Sequence, residues 1–351
     1  MNLPPRYALD GSAMDGGMAT VFKCRDSVLE RPVALKVLPR RFETRRLKDE
    51  LDALYTIRSK HVVQVFDICV DSTSVGIVQE FVDGKDLFSG DVAPQSENDF
   101  LFVLWQIASG IADIHDAGLI HRDIKPNNMK IDQEGILKIF DFGLAREDGP
   151  AAATVGFVGT VGFSAPEQYV AGTQFTQAID TFAFGATALY FGAQAFCAEL
   201  STTPPTAFPS NPFLNLPFSV PTDVADILFA CMDHNPADRP KMSEVCLAIE
   251  KYLLFNRHRA LVVLNGKPSY LDKDNTSVSL KFGTIASVKI EYDGLLFKVA
   301  IVAGDVFVNN APVSVGDTLP GACVLTLGGP ERRANQRAYV TFDLSNPEIV
   351  A

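Results

Sequence analysis

The sequence predicts an α+β chain in two parts, a larger α+β part followed by a small all-β domain. Residues 1–82 contain short valine-rich runs such as VALKVL and GIVQEFV, which are typical of strands. Residues 98–255 have a mainly helical pattern, and after residue 256 short strand-like runs alternate with Gly, Asn, Asp and Pro. We therefore expect domains over 1–255 and 256–351, the second a β-sandwich.

Bulk composition restricts the classes of function. The 351 residues carry a net charge of −11, which argues against nucleic acid or an anionic membrane as the main partner. The N-terminus, MNLPPRYALD, lacks the apolar stretch of a signal peptide, and the six cysteines form no CxxC pair. We expect reduced thiols and a cytoplasmic protein.

The helical region contains one apolar run that is long enough to be compared with a membrane span. Residues 182–198, FAFGATALYFGAQAFCA, lie at the lower limit for crossing a bilayer. Asp180 and Glu199 bracket the run, and no basic cluster flanks it. A helix that is apolar all round also forms the buried centre of a large domain. We predict a buried helix and no membrane span.

Other helices and one loop are predicted from periodicity and proline content. An apolar-faced helix is expected over 98–118, ending at Gly118. Six prolines within 204–221 predict an irregular loop, and the helical pattern resumes over 222–255.

A buried charged pair is predicted in the first part. Lys36 lies in the middle of the strand VALKVL, where a solitary lysine needs a partner. The next segment, ETRRLKDELDALYTIR, has an apolar helical face on which Glu50 also falls. Glu50 is the natural counter-ion of Lys36.

The stretch HRDIKPNNM, residues 121–129, is too polar for a core and too cationic for an ordinary turn. Asp123 is a candidate base or hydroxyl-orienting group, Lys125 suits a transferring anion, and Asn128 offers an amide oxygen to a metal ion. The motif DFG follows, and its Asp141 adds a carboxylate suited to Mg²⁺, which prefers oxygen ligands and phosphate partners.

In order and spacing these motifs resemble the eukaryotic-type (Hanks-type) Ser/Thr protein kinases, in a bacterial-like form, over roughly residues 7–255. The chain runs VALK, helical glutamate, HRDIKPNN, DFG and then GTVGFSAPE. Asp180 resembles the aspartate that opens the family's buried central helix. Arg239 resembles the arginine that pairs with the motif glutamate, here Glu167.

The resemblance implies a bilobal protein kinase fold, with a β-rich N-lobe over about 7–82 and a helical C-lobe over about 83–255. It implies ATP and Mg²⁺ as cofactors and a protein Ser or Thr hydroxyl as acceptor. A lysine two residues after the catalytic aspartate, together with Thr160, resembles the Ser/Thr rather than the tyrosine branch. His121 has an architectural place in the motif.

Roles are implied residue by residue. Lys36 holds the α- and β-phosphates and Glu50 fixes Lys36. Asp141 and Asn128 hold Mg²⁺. The catalytic residues of the HRD motif are Asp123, which orients the hydroxyl, and Lys125, which steadies the γ-phosphate. The other implied nucleotide contacts are Met14, Gly16, Gly17, Val21, Ala34, Glu80 and Val82.

The phosphate-covering loop departs from the family pattern GxGxxGxV. Counting back from Val21, Met14 stands at the first glycine position, Gly16 at the second and Ala19 at the third. Glycine at the first position permits a tight turn over the nucleotide, and Gly11 is an alternative if LDGSAMDGGM forms a longer loop. Lys130 stands where the family has an apolar residue under adenine, and its aliphatic stem can serve there.

Three hydroxyls lie in the segment between Asp141 and Glu167: Thr154, Thr160 and Ser164. Thr154 is expected to be phosphorylated, with Arg122 as the receiver of the phosphate. The alternative is that Thr154 is an ordinary loop residue and that Arg122 binds backbone or a carboxylate such as Glu147.

The C-terminal run FVNNAPVSVGDTLPGACVLTLG, residues 307–328, resembles the end of forkhead-associated (FHA) domains. Those domains read phosphothreonine with an arginine and a serine/histidine pair. Residues 282–301 contain no arginine or histidine. We expect contact with a protein partner, or with the kinase domain, without phosphate reading.

Three functions are therefore compared: an active Ser/Thr kinase that autophosphorylates, a pseudokinase scaffold with an interaction-only β-domain, and a phosphopeptide adaptor. The complete set of catalytic residues favours the first, and the missing arginine and histidine disfavour the third.

Overall fold

The computed structural model describes residues 4–16, 19–39, 55–70, 74–141, 146–147, 160–345 and 349. The chain divides into two compact units between Ile249 and Glu250, inside its last helix and six residues before the predicted domain limit at 255. Within the described ranges, no helix is long and apolar enough to span a membrane.

The first unit begins with a five-stranded antiparallel sheet in the order β1-β2-β3-β5-β4. Its strands are β1 (Tyr7–Gly16), β2 (Ala19–Asp26), β3 (Arg31–Pro39), β4 (Val65–Val70) and β5 (Ser74–Glu80). The strands predicted from VALKVL and GIVQEFV are thus β3 and β5. Alternation along β3 buries Val33 and Leu35 in a core with Tyr7. The opposite face carries Ala34 and Lys36.

Strand β1 contains an irregularity near the two glycine positions proposed for the phosphate-covering loop. Leu9 pairs with Cys24 and Ala13 pairs with Phe22. Between these pairs, three residues of β1 lie opposite one residue of β2. Gly11 lies inside this bulge, whereas Gly16 pairs with Ala19 at the hairpin end. Within the described residues, the stretch from Leu9 to Gly16 is therefore a bulged strand, and which glycine covers the phosphates stays a prediction.

Five helices carry the rest of the first unit as far as the structure describes it. They are α1 (Glu97–Asp116), α2 (Ala178–Ala193), α3 (Ala198–Ser201), α4 (Thr222–Ala230) and α5 (Met242–Leu253). The predicted helix over 98–118 is α1, and Gly118 follows it with a φ of 75°. The apolar run 182–198 is helical only to Ala193, because Gln194 adopts the left-handed conformation. Of the helix predicted in ETRRLKDELDALYTIR, residues up to 54 lie outside the described residues.

Short strands lie before α1 and in the segment between α1 and α2. They are β6 (Gly84–Asp86), β7 (Leu119–Ile120), β8 (Met129–Asp132), β9 (Leu137–Ile139) and β10 (Arg146–Glu147). Strand β9 is tied to the first sheet through His61, whose carbonyl accepts from Ile139 N–H at 2.8 Å. Helix α1 approaches this junction at Gly110, where a Cβ would come within 3.1 Å of His61. Glycine permits that close approach.

The second unit is all-β and consists of two antiparallel sheets, β12-β11-β19-β18-β16-β17 and β13-β14-β15. Its strands are β11 (Arg259–Leu264), β12 (Lys267–Leu271), β13 (Ser277–Phe282), β14 (Ala286–Tyr292), β15 (Phe297–Gly304), β16 (Val306–Val308), β17 (Ala311–Pro312), β18 (Ala322–Leu327) and β19 (Ala338–Ser345). One apolar core takes residues from both sheets. Phe297 of β15 meets Phe342 of β19 edge to face, with centroids 5.5 Å apart.

Strands β12 and β17 are not among the strand-like runs of the sequence. Strand β12, KPSYL, begins with Lys267 and Pro268 and is exposed over most of its length. Strand β17 is only the pair Ala311–Pro312. Both are edge strands, where one side needs no ladder partner and proline is tolerated.

The buried His61 predicts acid sensitivity of the first unit. Burial lowers the pKa of His61 to about 4, and its Nδ1–H donates to the Leu137 carbonyl at 3.2 Å. The unfolded chain takes up this proton below about pH 6.5, so stability is complete above that pH and falls as pH drops toward 4. We expect a loss of about 3 kcal/mol from this group, since one pKa unit is about 1.4 kcal/mol.

Urea unfolding followed by the fluorescence of Trp105, the single tryptophan, measures this loss between pH 7 and 4.5. The variant His61→Gln keeps a donor for Leu137 and should lose correspondingly less stability over that range. The carboxylates of the first unit with a lowered pKa, Asp26, Asp141 and Asp180, add to the pH dependence only below about pH 4. An identical pH dependence in both proteins would contradict the prediction.

Candidate active site

A buried carboxylate at the start of α2 fixes the loop that carries HRDIKPNNM. Asp180 accepts the backbone N–H groups of His121 at 2.7 Å and Arg122 at 2.8 Å. The second bond requires the left-handed backbone at Arg122, where φ is 68°. His115 Nε2 also lies 3.1 Å from the Asp180 carboxylate. The loop is thereby held to the central helix by a fully buried side chain.

Asp180 stays ionised despite its burial. Burial raises the pKa of its carboxyl, but the hydrogen bond from His115 and the neighbouring N–H groups outweigh it, so the pKa lies below its ordinary value. Burial also lowers the pKa of His121. The Nδ1 atom of His121 accepts from the Asp123 N–H at 3.3 Å, and Nε2 donates to the Phe140 carbonyl at 3.1 Å. A neutral His121 thus holds the backbone of Asp123 with one ring nitrogen and the backbone of Phe140 with the other.

Three donors surround the carboxylate of Asp123. The Thr160 hydroxyl donates to Oδ1 at 2.8 Å, and Lys125 Nζ lies 2.7 Å from Oδ2. Asn128 Nδ2 donates to Oδ2 at 2.9 Å and to the Asp123 carbonyl at 2.8 Å. Lys125 also donates to the Thr160 hydroxyl at 2.8 Å, which closes the network. The carboxylate is held in one orientation and keeps lone pairs for a further donor.

A second charged pair includes Asp141, the first residue of the DFG motif, which follows strand β9. Lys36, buried on β3, forms an ion pair with Asp141 Oδ1. Burial raises the pKa of Asp141, but the Lys36 ammonium outweighs it and holds the pKa below its ordinary value. Asp141 has a φ of 74°, and Phe140 before it is fixed by Asn128 and His121. The carboxylate therefore remains an anion that faces a cation.

Several predicted nucleotide contacts share one face of the first sheet. Val21 pairs with Lys36, and Ala34 pairs with Gln79, and the two side chains of each pair point to the same side of the sheet. Because Ala34 and Lys36 are two residues apart on β3, both pairs lie on one face. Met14 pairs with Val21, which places its backbone at the edge of this face. Glu80 and Val82 follow at the end of β5 and in the segment after it. Lys130 lies on β8, half-buried, with its ammonium 4.0 Å from Asp86.

Behind the segment after β5 the structure has a pair that the sequence did not predict. Lys138 Nζ lies 2.9 Å from the Glu80 carboxylate, which also accepts from the Gln64 N–H at 3.2 Å. This pair borders a cavity of about 440 Å³ lined by Arg31, Pro32, Ile57, Arg58, Ser59, Val62, Gln64, Phe66, Glu80, Phe81 and Lys138. None of these residues belongs to the Asp123 network. The cavity is therefore distinct from the Asp123 network.

The predicted pair of Glu167 and Arg239 is confirmed. The Arg239 guanidinium binds the Glu167 carboxylate through Nη1 at 2.6 Å and Nη2 at 2.9 Å. It also donates to the backbone carbonyls of Asp233 and Ala178 at 2.7 and 2.9 Å. This bidentate pair fixes the end of the segment that carries Thr160.

Several predicted site residues lie outside the described residues: Glu50, Gly17 and Thr154. For Gly16 the structure gives the backbone position described above. Arg122 is buried, and its guanidinium lies over the ring of Phe175 at 5.4 Å from the centroid. The pairing of Lys36 with Glu50 and the phosphorylation of Thr154 stay predictions.

The donor set near Asp141 fits a divalent metal ion. Asp141 offers a carboxylate that remains ionised, and Asn128 directs its amide nitrogen to Asp123 and so keeps its oxygen available as a ligand. Oxygen ligands of this kind are those that hard divalent cations prefer.

Comparison with known proteins gives the class that the sequence motifs resemble, the protein kinases. Residues 13–248 match the family model described as the protein kinase domain. The chain is 33% identical over 272 residues to a protein of Corynebacterium efficiens named serine/threonine-protein kinases drp72, covering 72% of this chain and 52% of that protein. It is 31% identical over 261 residues to serine/threonine-protein kinase PrkC of Bacillus subtilis, covering 68% of this chain and 39% of that protein.

The chain belongs to the protein kinase domain family, because the family model matches more than half of its length. A third relative, serine/threonine-protein kinases PknA of Corynebacterium glutamicum, is 32% identical over 270 residues, 72% of this chain and 57% of that protein. The chain spans between about two fifths and three fifths of the length of these relatives. The family uses ATP and a divalent metal ion and acts on protein substrates.

The Arg239 pair predicts a stability difference between arginine and lysine at one position. Arg239→Lys keeps the charge but loses the bidentate contact and most of the carbonyl contacts. A hydrogen bond to a charged group contributes about 1.5–3 kcal/mol, and lysine cannot reproduce the planar bidentate contact. We expect a loss of that size in the free energy of unfolding of the first unit, measured with urea and Trp105 fluorescence.

Arg58→Lys serves as the matched control, because Arg58 belongs to the same unit as Trp105, is exposed, and donates to the backbone carbonyl of Tyr55 at 2.9 Å. A surface substitution of this kind changes stability by roughly 0.5 kcal/mol or less. Equal effects of the two substitutions would mean that the bidentate geometry contributes nothing.

Proposed function

We propose that this chain is an ATP-dependent serine/threonine protein kinase that transfers the γ-phosphoryl group to protein Ser and Thr hydroxyls and to itself. The observation that carries the proposal is the Asp123 network, in which Thr160, Lys125 and Asn128 hold one carboxylate in a fixed orientation. The names of the relatives support the same activity. A scaffold without catalysis would have no need for this arrangement.

Each residue of the network has a separate task. Asp123 orients the acceptor hydroxyl and takes its proton as the oxygen attacks phosphorus. Lys125 lies beside Asp123 and neutralises charge on the transferred group. Thr160 keeps Asp123 and Lys125 in register, since its hydroxyl binds both side chains. Positioning of this kind is the main source of catalysis in phosphoryl transfer.

The nucleotide and its metal ion are proposed to bind between the first sheet and Asp141. Lys36 would pair with the α- and β-phosphates, and Asp141 and Asn128 would hold Mg²⁺. When bound, Mg²⁺ neutralises charge on the phosphates. In the present arrangement Lys36 and Asp141 neutralise each other, so neither buried charge lacks a partner. The remaining contacts proposed are Met14, Gly16, Gly17, Val21, Ala34, Glu80 and Val82.

Regulation is proposed to act through Glu50 and Thr154. Glu50 would fix Lys36 when Asp141 turns to the metal ion. A phosphate on Thr154 would bind Arg122, which already lies in the loop held by Asp180.

The second unit is proposed to be an FHA-like β-sandwich that binds a protein partner without reading phosphate. Its two sheets and common core support the sandwich. In the stretch where a phosphate site is expected, Lys289 lies 2.6 Å from Glu291 and Lys298 lies 2.8 Å from Asp293. Both lysines are neutralised by neighbouring carboxylates, which disfavours the phosphopeptide adaptor.

The catalytic assignment predicts that Asp123→Asn and Lys36→Met each reduce transfer by at least about a thousandfold while the chain stays folded. Purified protein, Mg²⁺, radiolabelled ATP and a generic Ser/Thr substrate provide the assay. Asp91→Asn removes an exposed carboxylate outside the network and is the control. Retention of more than a few per cent of turnover in both variants would overturn the assignment and favour the pseudokinase scaffold.

The reading of the second unit predicts no affinity for phosphothreonine. Titration of the full chain with phosphothreonine peptides and their unphosphorylated counterparts should give equal, weak binding. A dissociation constant below roughly 10 µM, about 7 kcal/mol, that is lost with the phosphate would reveal a phosphate site in this unit.

A further inference from the structure

An aromatic cluster lies next to the acceptor site and is used by none of the steps above. Phe88 stacks on Tyr190 with centroids 5.1 Å apart and planes 3° apart. Phe196 contacts Tyr190 at 4.7 Å and Phe163 at 5.6 Å between centroids. The four rings come from separate places in the chain: the loop after β6, the turn after Thr160, the end of α2 and the loop that follows it.

The cluster exposes more apolar surface than its packing requires. Phe163 is buried and Tyr190 is half-buried, so these two rings hold the turn after Thr160 against α2. Phe88 and Phe196, by contrast, leave 43% and 50% of their surface exposed. Val161, in the same turn, is 47% exposed. A contiguous exposed patch of this kind marks a binding surface more often than isolated exposed residues do.

The patch is continuous with the acceptor site. The Thr160 carbonyl accepts the N–H of Phe163 at 3.1 Å, while the Thr160 hydroxyl binds Asp123. Gly162, with a φ of 94°, lets the turn lie on Phe196, because a Cβ there would come within 3.2 Å of that ring. A peptide whose hydroxyl reaches Asp123 rises about 3.3 Å per residue when extended. Residues within four positions of that hydroxyl therefore lie within about 13 Å of it, and Val161 of the patch directly follows Thr160.

We infer that Phe88, Tyr190, Phe196 and Val161 form a specificity surface that selects protein substrates with a large apolar side chain within four positions of the phosphorylated Ser or Thr. This inference rests on the proposed function. The four residues that form the surface carry no charge, whereas selection of a basic substrate needs carboxylates at that place. In an apolar pocket a single methylene group changes kcat/KM by roughly ten- to two-hundredfold, so replacing a whole apolar side chain by a charged one is expected to be detectable on this surface.

The test is a positional scan with the full chain. Peptides that carry one Ser or Thr vary a single position among Leu, Phe, Ser, Lys and Glu, over four positions on either side. We expect kcat/KM for Leu or Phe to exceed that for Lys at least about tenfold at one or more positions. Phe196→Glu and Phe88→Glu should each reduce this ratio at least about tenfold or favour Lys, with KM for ATP unchanged.

Two further variants separate specificity from folding. Phe196→Leu retains an apolar surface and should retain the preference. Leu247→Glu places the same charge at another exposed apolar position, on α5, and should leave the ratio as it is. Thermal unfolding checks that each variant is folded, and if one Glu variant is not, the other carries the test.

The outcomes are distinguishable. A chain that phosphorylates peptides without an apolar preference overturns this inference and leaves the proposed function intact. A preference that survives both Glu variants shows that another surface selects the substrate, which overturns it as well. If only a second copy of this chain binds the patch, seen as a dimer that Phe196→Glu dissociates, the occupant is not a substrate. A chain that phosphorylates no peptide and not itself overturns the proposed function and this inference together.

Discussion

The contact between Asp180 and two successive backbone N–H groups is the constraint on which the site depends. It requires a left-handed backbone at Arg122, which costs a non-glycine residue about 1–2 kcal/mol. Hydrogen bonds to a charged group contribute about 1.5–3 kcal/mol each, and there are two from this loop. The bonds therefore outweigh the strain. Without them the carboxylate would be a buried charge with too few donors, so the loop and the helix stabilise each other.

Further hydrogen bonds connect this contact to Asp141 on one side and to Asp123 on the other. The side chain of His121 binds the Phe140 carbonyl and so fixes the backbone next to Asp141, which pairs with Lys36. Asn128 acts on both sides, because its side chain holds Asp123 and its carbonyl accepts the Phe140 N–H at 3.0 Å. The proposed acceptor group and the proposed metal ligand thus share one backbone scaffold. A shift of the loop would move both, which explains why a rigid, buried helix rather than an exposed loop anchors it.

The sequence predicts this part of the molecule well because motif residues carry their chemistry in their type and spacing. The strands β3 and β5, the helices α1 and α2 and the pair of Glu167 and Arg239 follow from local pattern and family resemblance. The contact of Glu80 with Lys138 and the four-ring cluster do not, since they join residues that are far apart in the chain and that no motif links. The β1 bulge is also hidden, because glycine-rich sequence suits a loop and a bulged strand equally. Strand β17 has only two residues, which is too short to show the alternation of apolar and polar residues that predicts a strand.

Helix α2 connects the scaffold with the aromatic patch. Asp180 lies in its first turn and Tyr190 in its last, ten residues further on. At 1.5 Å per residue the two are roughly 15 Å apart along the axis, a length that four or five residues of extended peptide also span. Thirteen of its sixteen residues are buried, and all of these except Asp180 are apolar or small, so the helix packs as one rigid element. A single helix can therefore set both the position of the acceptor loop, through Asp180, and the distance at which an apolar side chain of the substrate meets Tyr190.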